Sequence, residues 1–224
     1  MTSHMAPQEH VLVFERKLLD ELGPFQGLAF EVRPYLRAIF QPGALRFIPR
    51  GDAENNPDYK QLIPYVIMTC AGRYLSYIRG KRAGEARLAG NRSIGIGGHI
   101  NPADEVPLFD SDFRRPYLAA LEREIDEEVS LQADHSDRIV ALLNDDSNEV
   151  GRVHLGIVHL WMLQSDSVTR KEQMITQMSF LALDRLRGLR DSMETWSRIC
   201  LDALPEITAR AQTALPADQL LELP

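Results

Sequence analysis

The chain has 224 residues, 44% apolar and 25% charged, with 25 Lys and Arg against 32 Asp and Glu for a net charge of −7. That suffices for one elaborated globular domain without disulfide or metal staples, and excludes a disordered chain, a collagen-like chain and a small disulfide scaffold. The acidic balance gives no footprint for a nucleic-acid polymer or an anionic membrane, two distant cysteines (Cys70 and Cys200) suit a reducing compartment, and neither a signal peptide nor a run of about 18 apolar residues occurs, so the expected setting is the cytoplasm.

Residues 1–5 (MTSHM) resemble a cloning scar and are left out of the fold reading. Residues 9–22 mix apolar and charged side chains and stop at Gly23-Pro24, which predicts a short helix. Residues 27–49 read as irregular with short strands, and 51–58 (GDAENNPD) as a polar loop. Two β-rich runs, 62–70 and 73–79, flank Ala71-Gly72 and predict a hairpin. After a polar segment, 93–100 (SIGIGGHI) is strand-like, its glycines inviting close approach by another group. A loop then leads to a helix over 116–129. Pro116 suits its first turn, and Leu118, Leu121, Ile125 and Val129 form one apolar stripe. Strands are predicted over 139–143 and 150–163, around the turn NDDSN, and over 178–183; the remainder reads as helical, broken by Pro205 and Pro216. Strands on both sides of one central helix, then terminal helices, predict a mixed α/β layer fold.

The chemically informative run is Arg123-Glu124-Ile125-Asp126-Glu127-Glu128. On a helix, Glu124, Glu127 and Glu128 share one face, beside the apolar stripe. The carboxylates then stand at the rim of the core, where a pocket can form. Like charges so close raise one another's pKa values or recruit a cation. Oxygen ligands on a rigid helix suit Mg²⁺ or Mn²⁺, which bind substrate phosphates directly. The commoner meaning of such a run is a solvated face with ion pairs such as Arg123 to Glu127.

In its wider context this run resembles the signature of the Nudix (MutT-like) hydrolases, Gly-x5-Glu-x7-Arg-Glu-U-x-Glu-Glu-x-Gly-U, where U is aliphatic. Residues 123–128 fit its Arg-Glu-U-x-Glu-Glu core, and Gly97-Gly98-His99-Ile100 resembles the glycine-rich strand end that opens it. Five residues after Gly98 comes Asp104 at the acidic position, with Glu105 as the alternative. Eighteen residues instead of seven separate Asp104 from Arg123, an insertion centred on PLFDSDFRRPY, so spacing does not guarantee an ion pair between them. Ser130 replaces the closing glycine, which predicts a helix end unlike a glycine cap.

The resemblance covers about residues 62–186. It implies an α/β/α sandwich around a mixed sheet, with 1–60 an N-terminal extension packed on the core, 61–190 the hydrolase domain and 191–224 a C-terminal helical segment. It implies metal-dependent hydrolysis of a diphosphate linkage in a nucleoside diphosphate derivative or related phosphoanhydride. The partner would be a small phosphorylated molecule, not a nucleic-acid polymer or a membrane, and a homodimer is compatible with the family. Glu127 and Glu128 would be the principal ligands of Mg²⁺ or Mn²⁺, with Glu124 a further ligand or the base that activates water. Arg123 would orient Glu124, and the carbonyl of Gly97 would complete the coordination, a side chain there blocking the approach. Glu172 is the candidate for an additional carboxylate from a later loop. The alternative is a nucleotide or sugar-diphosphate binding module without turnover. A diphosphate isomerase ranks lower, because no cysteine lies near the motif.

Other polar residues have plainer explanations. Asp145, Asp146 and Glu149 belong to a turn. His154 and His159, five apart on a strand, face opposite sides, which argues against a shared metal. His99 either approaches a phosphate or caps its strand. Trp161 and Trp196 are expected in the core in preference to serving as base-stacking platforms. Tyr77 and Arg79 share one strand face opposite Tyr74; either face could line a substrate pocket, though sheet packing is the commoner explanation.

Overall fold

The computed structural model describes residues 9–80, 90–104, 112–171 and 175–223. The chain runs β1 (His10–Glu15), α1 (Arg16–Leu22), β2 (Gly27–Ala29), α2 (Val32–Ile39), β3 (Leu45–Pro49), α3 (Arg50–Asn55), β4 (Tyr59–Cys70), β5 (Arg73–Arg79), β6 (Arg92–Ser93) and β7 (Gly95–Gly97). It continues through α4 (Arg114–Glu128), β8 (Val129–Leu131), β9 (His135–Asn144), α5 (Glu149–Arg152), β10 (His154–Leu163), β11 (Val168–Arg170) and β12 (Ile175–Ala182). It closes with α6 (Leu183–Arg187), α7 (Thr195–Asp202), α8 (Leu204–Arg210) and β13 (Leu215–Pro216).

The main sheet has the order β12-β5-β4-β10-β9-β13, with β4 and β10 parallel and the other neighbours antiparallel. β4 is its axis. Its pairing with β10 runs from Gln61 to Thr69, while its other edge is shared by β1 at Tyr59–Gln61, β7 at Tyr65–Ile67 and β5 at Thr69–Cys70. Pro64, which has no N–H to donate, falls between the β1 and β7 registers, where the shared edge is free to part. β8 and β11 form a separate two-stranded ladder.

β4 is apolar on both faces because both are covered, as a strand with a parallel neighbour requires. Leu62, Val66 and Met68 face one core, shared with Leu36 of α2 and Tyr117, Leu121 and Ile125 of α4. Tyr65 and Ile67 face the other, shared with Cys200 and Leu201 of α7 and Leu204 and Ile207 of α8. Helices therefore lie on both faces of a mixed sheet, the expected α/β/α sandwich. The hairpin turn also forms as expected: Ala71 and Gly72 take φ of 48° and 73°, the left-handed pair a two-residue loop needs.

Several local expectations are corrected. Residues 10–15 form a strand, and only 16–22 are helical. Val11 through Phe14 are all buried, Leu12 and Phe14 in the main core and Val11 and Val13 against Ala53. A strand covered on both faces shows no alternation and mimics a helix by composition. The expected polar loop contains α3, held by that Ala53 contact and an Arg50–Glu54 pair at 2.7 Å. Residues 32–39 form a helix, with Val32, Leu36 and Ile39 buried on one stripe. Residues 149–152 are helical, so β10 begins at His154. α4 runs directly into β8 through an extended Val129 (φ −135°, ψ 152°), so no left-handed residue is needed and Ser130 replaces the glycine without strain. Among the described residues no helix is long and apolar enough to cross a membrane.

Candidate active site

A cavity of about 370 Å³ opens beside the end of β7. α4 supplies one wall with Arg123, Glu124, Glu127 and Glu128, and the start of α7 supplies the other with Glu194, Thr195 and Trp196. Gly97, Gly98, His99, Arg79 and His154 also line it.

Arg123 is the hub of the α4 wall. Its Nε and Nη2 donate to the two oxygens of buried Asp104 at 2.6 and 3.0 Å, Nη2 also donates to the His99 carbonyl at 2.9 Å, and Nη1 reaches Glu124 at 2.7 Å and Glu127 at 3.2 Å. The ion pair that the insertion left unassured therefore forms, and Asp104 is the acid that makes it. The inserted residues 105–111 and the candidate Glu172 lie outside the described residues. Asp104 also accepts the Asn101 N–H at 2.7 Å, which ties the loop after β7 to the helix. Two parallel bonds to one carboxylate fix the guanidinium plane, and its remaining donors then place Glu124.

The two glycines serve different ends. A Cβ on Gly97 would fall on the Pro64 carbonyl of the neighbouring strand, so strand packing already demands glycine there. This packing reason for glycine stands beside the open approach to the Gly97 carbonyl that the resemblance implies. A Cβ on Gly98 would fall on the Glu124 carboxylate, and Gly98 is the position that makes room for an acid.

Burial raises the Glu124 carboxyl pKa, with Arg123 opposing. Burial pushes Glu128 up to about 7, Arg79 opposing and Glu124, Glu194 and Glu127 adding to the rise. Glu127 is the exposed member, its side chain 58% accessible. Glu128 Oε2 is buried and receives no hydrogen bond from the described residues. Among the described residues no three His, Cys, Asp or Glu side chains are gathered, as they stand, into a group that could hold a metal ion. The donor set nevertheless fits a hard divalent cation: carboxylates on one wall beside a backbone carbonyl, one with an orphaned buried oxygen.

His154 and His159 sit apart, as expected. His159 is fully buried, Nδ1 on Asp137 at 2.9 Å and Nε2 on the Tyr117 hydroxyl at 2.7 Å, and it pins α4 to the sheet. His154 Nδ1 meets the Val150 carbonyl at 2.6 Å, so that nitrogen carries the proton. His154 Nε2 and His99 Nε2 share a hydrogen bond at 3.3 Å. His99 thus stands in the cavity wall, its pKa lowered by burial and by the cations around it. The Asp145-Asp146 turn is structural. Asp145 takes Gln26, Ser147 and Asn148, while Asp146 takes Arg16 at 2.7 Å and buried Lys60 at 2.8 Å.

The α7 wall was not foreseen. Arg79 pairs with buried Glu194 at 2.9 Å, and Glu194 also accepts from Ser93 at 2.6 Å and Ser197 at 3.2 Å. Tyr77 packs in the sheet core with its hydroxyl on the Gly95 carbonyl, but its strand-mate Arg79 reaches the cavity. Trp161 is a core residue, as expected; Trp196 is only half-buried and lines the cavity, a correction. No local pattern marks Glu194 or Trp196, because Arg79, Ser93 and Tyr65, which meet them, lie more than 100 residues away in sequence.

No protein-family model matches the chain. It is 32% identical over 206 residues to Protein YmaB of Bacillus subtilis, covering 89% of this chain and 95% of that protein. The crystal structure of Tm1382, a candidate Nudix hydrolase, superposes with a TM-score of 0.73 at 29% identity, covering 89% of this chain and all of that one. The Nudix domain of Shewanella oneidensis NrtR, solved with ADP ribose, shares the fold alone, with a TM-score of 0.50 at 8% identity over 66% of this chain and 87% of that one. With the motif acids seated on one cavity wall behind the Gly97-Gly98 strand end, and with the nearly full-length match to Tm1382, the chain belongs to the Nudix hydrolase family.

Proposed function

We propose that this protein hydrolyses a diphosphate linkage in a small phosphorylated molecule, a nucleoside diphosphate derivative or related phosphoanhydride, with Mg²⁺ or Mn²⁺ as cofactor. The observation that carries the reading is the orphaned, buried Glu128 oxygen on the wall shared with Glu124, Glu127 and Gly97. Glu127, Glu128 and the Gly97 carbonyl would hold the cation, Glu124 would stand beside them as the base that activates water and not as a further ligand, and Glu172 is kept as a further carboxylate. The bound cation would neutralise phosphate oxygens and lower the pKa of the attacking water.

The chain's own groups do the rest. Glu124, raised by burial, is a better proton acceptor near neutral pH than an ordinary carboxylate. It takes the proton of a water whose oxygen bonds to phosphorus as the P–O bond to the leaving phosphate breaks. Arg123 holds Glu124 in place, and Asp104 holds Arg123. We take residues 61–190 as the hydrolase domain, with 1–60 and 191–224 packed on it. The acidic balance and two buried thiols support a cytoplasmic enzyme acting on small molecules.

The test is hydrolysis of a panel of nucleoside diphosphate derivatives with Mg²⁺ or Mn²⁺, wild type against Glu127→Gln. Turnover is expected to fall about 100-fold or more in the variant, the scale of losing one charge-stabilising group. Unchanged activity would reject the assignment.

A further inference from the structure

The cavity lining that α7 supplies takes no step in the chemistry above, and it comes from outside the motif. We propose that Trp196, carried into the cavity by the first turn of α7, is the stacking surface for a nucleobase on the substrate, and that Glu194 is the positioning residue that seats it. This rests on the hydrolase reading and names the part of the substrate that the phosphate-binding side leaves unspecified.

Trp196 is built to stay where it is. Its six-membered ring lies over Gly156, where a Cβ would press on the indole at 3.0 and 3.2 Å. Tyr65 meets it edge to face, with ring centroids 5.5 Å apart at 82°. Glu194, two residues earlier, anchors the start of α7. Its carboxylate binds Arg79 and Ser93, its N–H donates to the Arg92 carbonyl at 3.0 Å, and its own carbonyl receives the Arg198 N–H at 3.0 Å. Glu194 is buried and supplied with donors, so it serves as an anchor and not as a base.

The surroundings select the ring. Trp161 shows how this fold buries an indole for packing alone, at 1% exposure; Trp196 keeps part of its surface in the cavity. A flat ring with nitrogen and oxygen atoms at its edge stacks on the indole and keeps polar partners for its rim. The α4 carboxylates and Trp196 line the same cavity, so one bound molecule can meet both.

The experiment uses the full chain and AMP, which has a base but no diphosphate to cleave. AMP is expected to quench tryptophan fluorescence saturably, and ribose 5-phosphate to leave it unchanged. By calorimetry, Trp196→Leu should weaken AMP binding about 10- to 100-fold, with Trp196→Phe restoring most of it. Glu194→Gln should weaken AMP binding in wild type and add nothing in the Trp196→Leu background, a coupling that a general loss of stability would not produce. Equal responses to AMP and ribose 5-phosphate, or unchanged AMP affinity in Trp196→Leu, would overturn the proposal. AMP binding through Trp196 with no diphosphate hydrolysed under any metal condition would leave the base site standing and sink the hydrolase reading instead.

Discussion

Glu128 carries a cost that a cation relieves. Its carboxyl, at about 7 in the fold, lies above the ordinary 4.5, so the folded state holds the proton more tightly than the unfolded chain. The metal-free protein is therefore most favoured by this group below about pH 4.5 and loses that stability as pH rises through 7. Thermal melts of metal-free Glu128→Gln should show it more stable than wild type at pH 8, by on the order of 2 kcal/mol, and no different at pH 4. Mn²⁺ should raise the wild-type Tm more at pH 8 than at pH 5. The two glycines separate by the same logic of contacts. Gly98→Ala meets only the end of the Glu124 side chain, so it should cost below about 1 kcal/mol of stability yet about 100-fold in rate. Gly97→Ala meets the Pro64 backbone and should cost stability outright, by about 2 kcal/mol or more in a denaturant titration.

At the scale of elements, the segment after β9 is held by a charge network that never touches the reaction. Lys60 is fully buried and donates to Asn144 at 2.7 Å, Asp146 at 2.8 Å and the Gly151 carbonyl at 2.9 Å. Asn148, Val150 and Gly151 of that segment form cavity wall. Lys60→Met removes the donor and strands its buried acceptors, so a destabilisation of about 3–5 kcal/mol is expected by denaturant unfolding. Burial pushes Asp146 up, but Arg16 and Lys60 outweigh it and bring the carboxyl down to about 2. Its contribution is present above the ordinary 3.8 and is lost as pH falls toward 2, so acid unfolding of wild type should begin in that window. The turn composition NDDSN announced a loop; that this loop hangs on a lysine 86 positions upstream could come only from the fold.

For the whole molecule, the C-terminal helices are sheet cover as well as cavity wall. Cys200, Leu201, Leu204 and Ile207 shield Val140, Leu143, Val158 and Leu160. A chain ending at residue 189 would expose that face, and it should lose cooperative unfolding and aggregate on size-exclusion chromatography. The N-terminal segment is equally integral, since β1 pairs with both β3 and β4.

Residue chemistry and short spacing carried the family, the central helix, the hairpin and the Arg123-to-Glu128 acids, because each depends on neighbours within one turn or one ladder. β1 and α3 were misread for a physical reason: a strand buried on both faces loses its period, and a polar helix owes its existence to Ala53 packing on a strand 40 residues back. Asp104 could be nominated from its count after Gly98, but only folding could close the ion pair to Arg123 across the insertion. The Arg79–Glu194 pair and the placement of Trp196 were decided by tertiary structure alone. Their partners converge from distant strands and helices, and no local pattern records a contact that chain folding, not sequence proximity, creates.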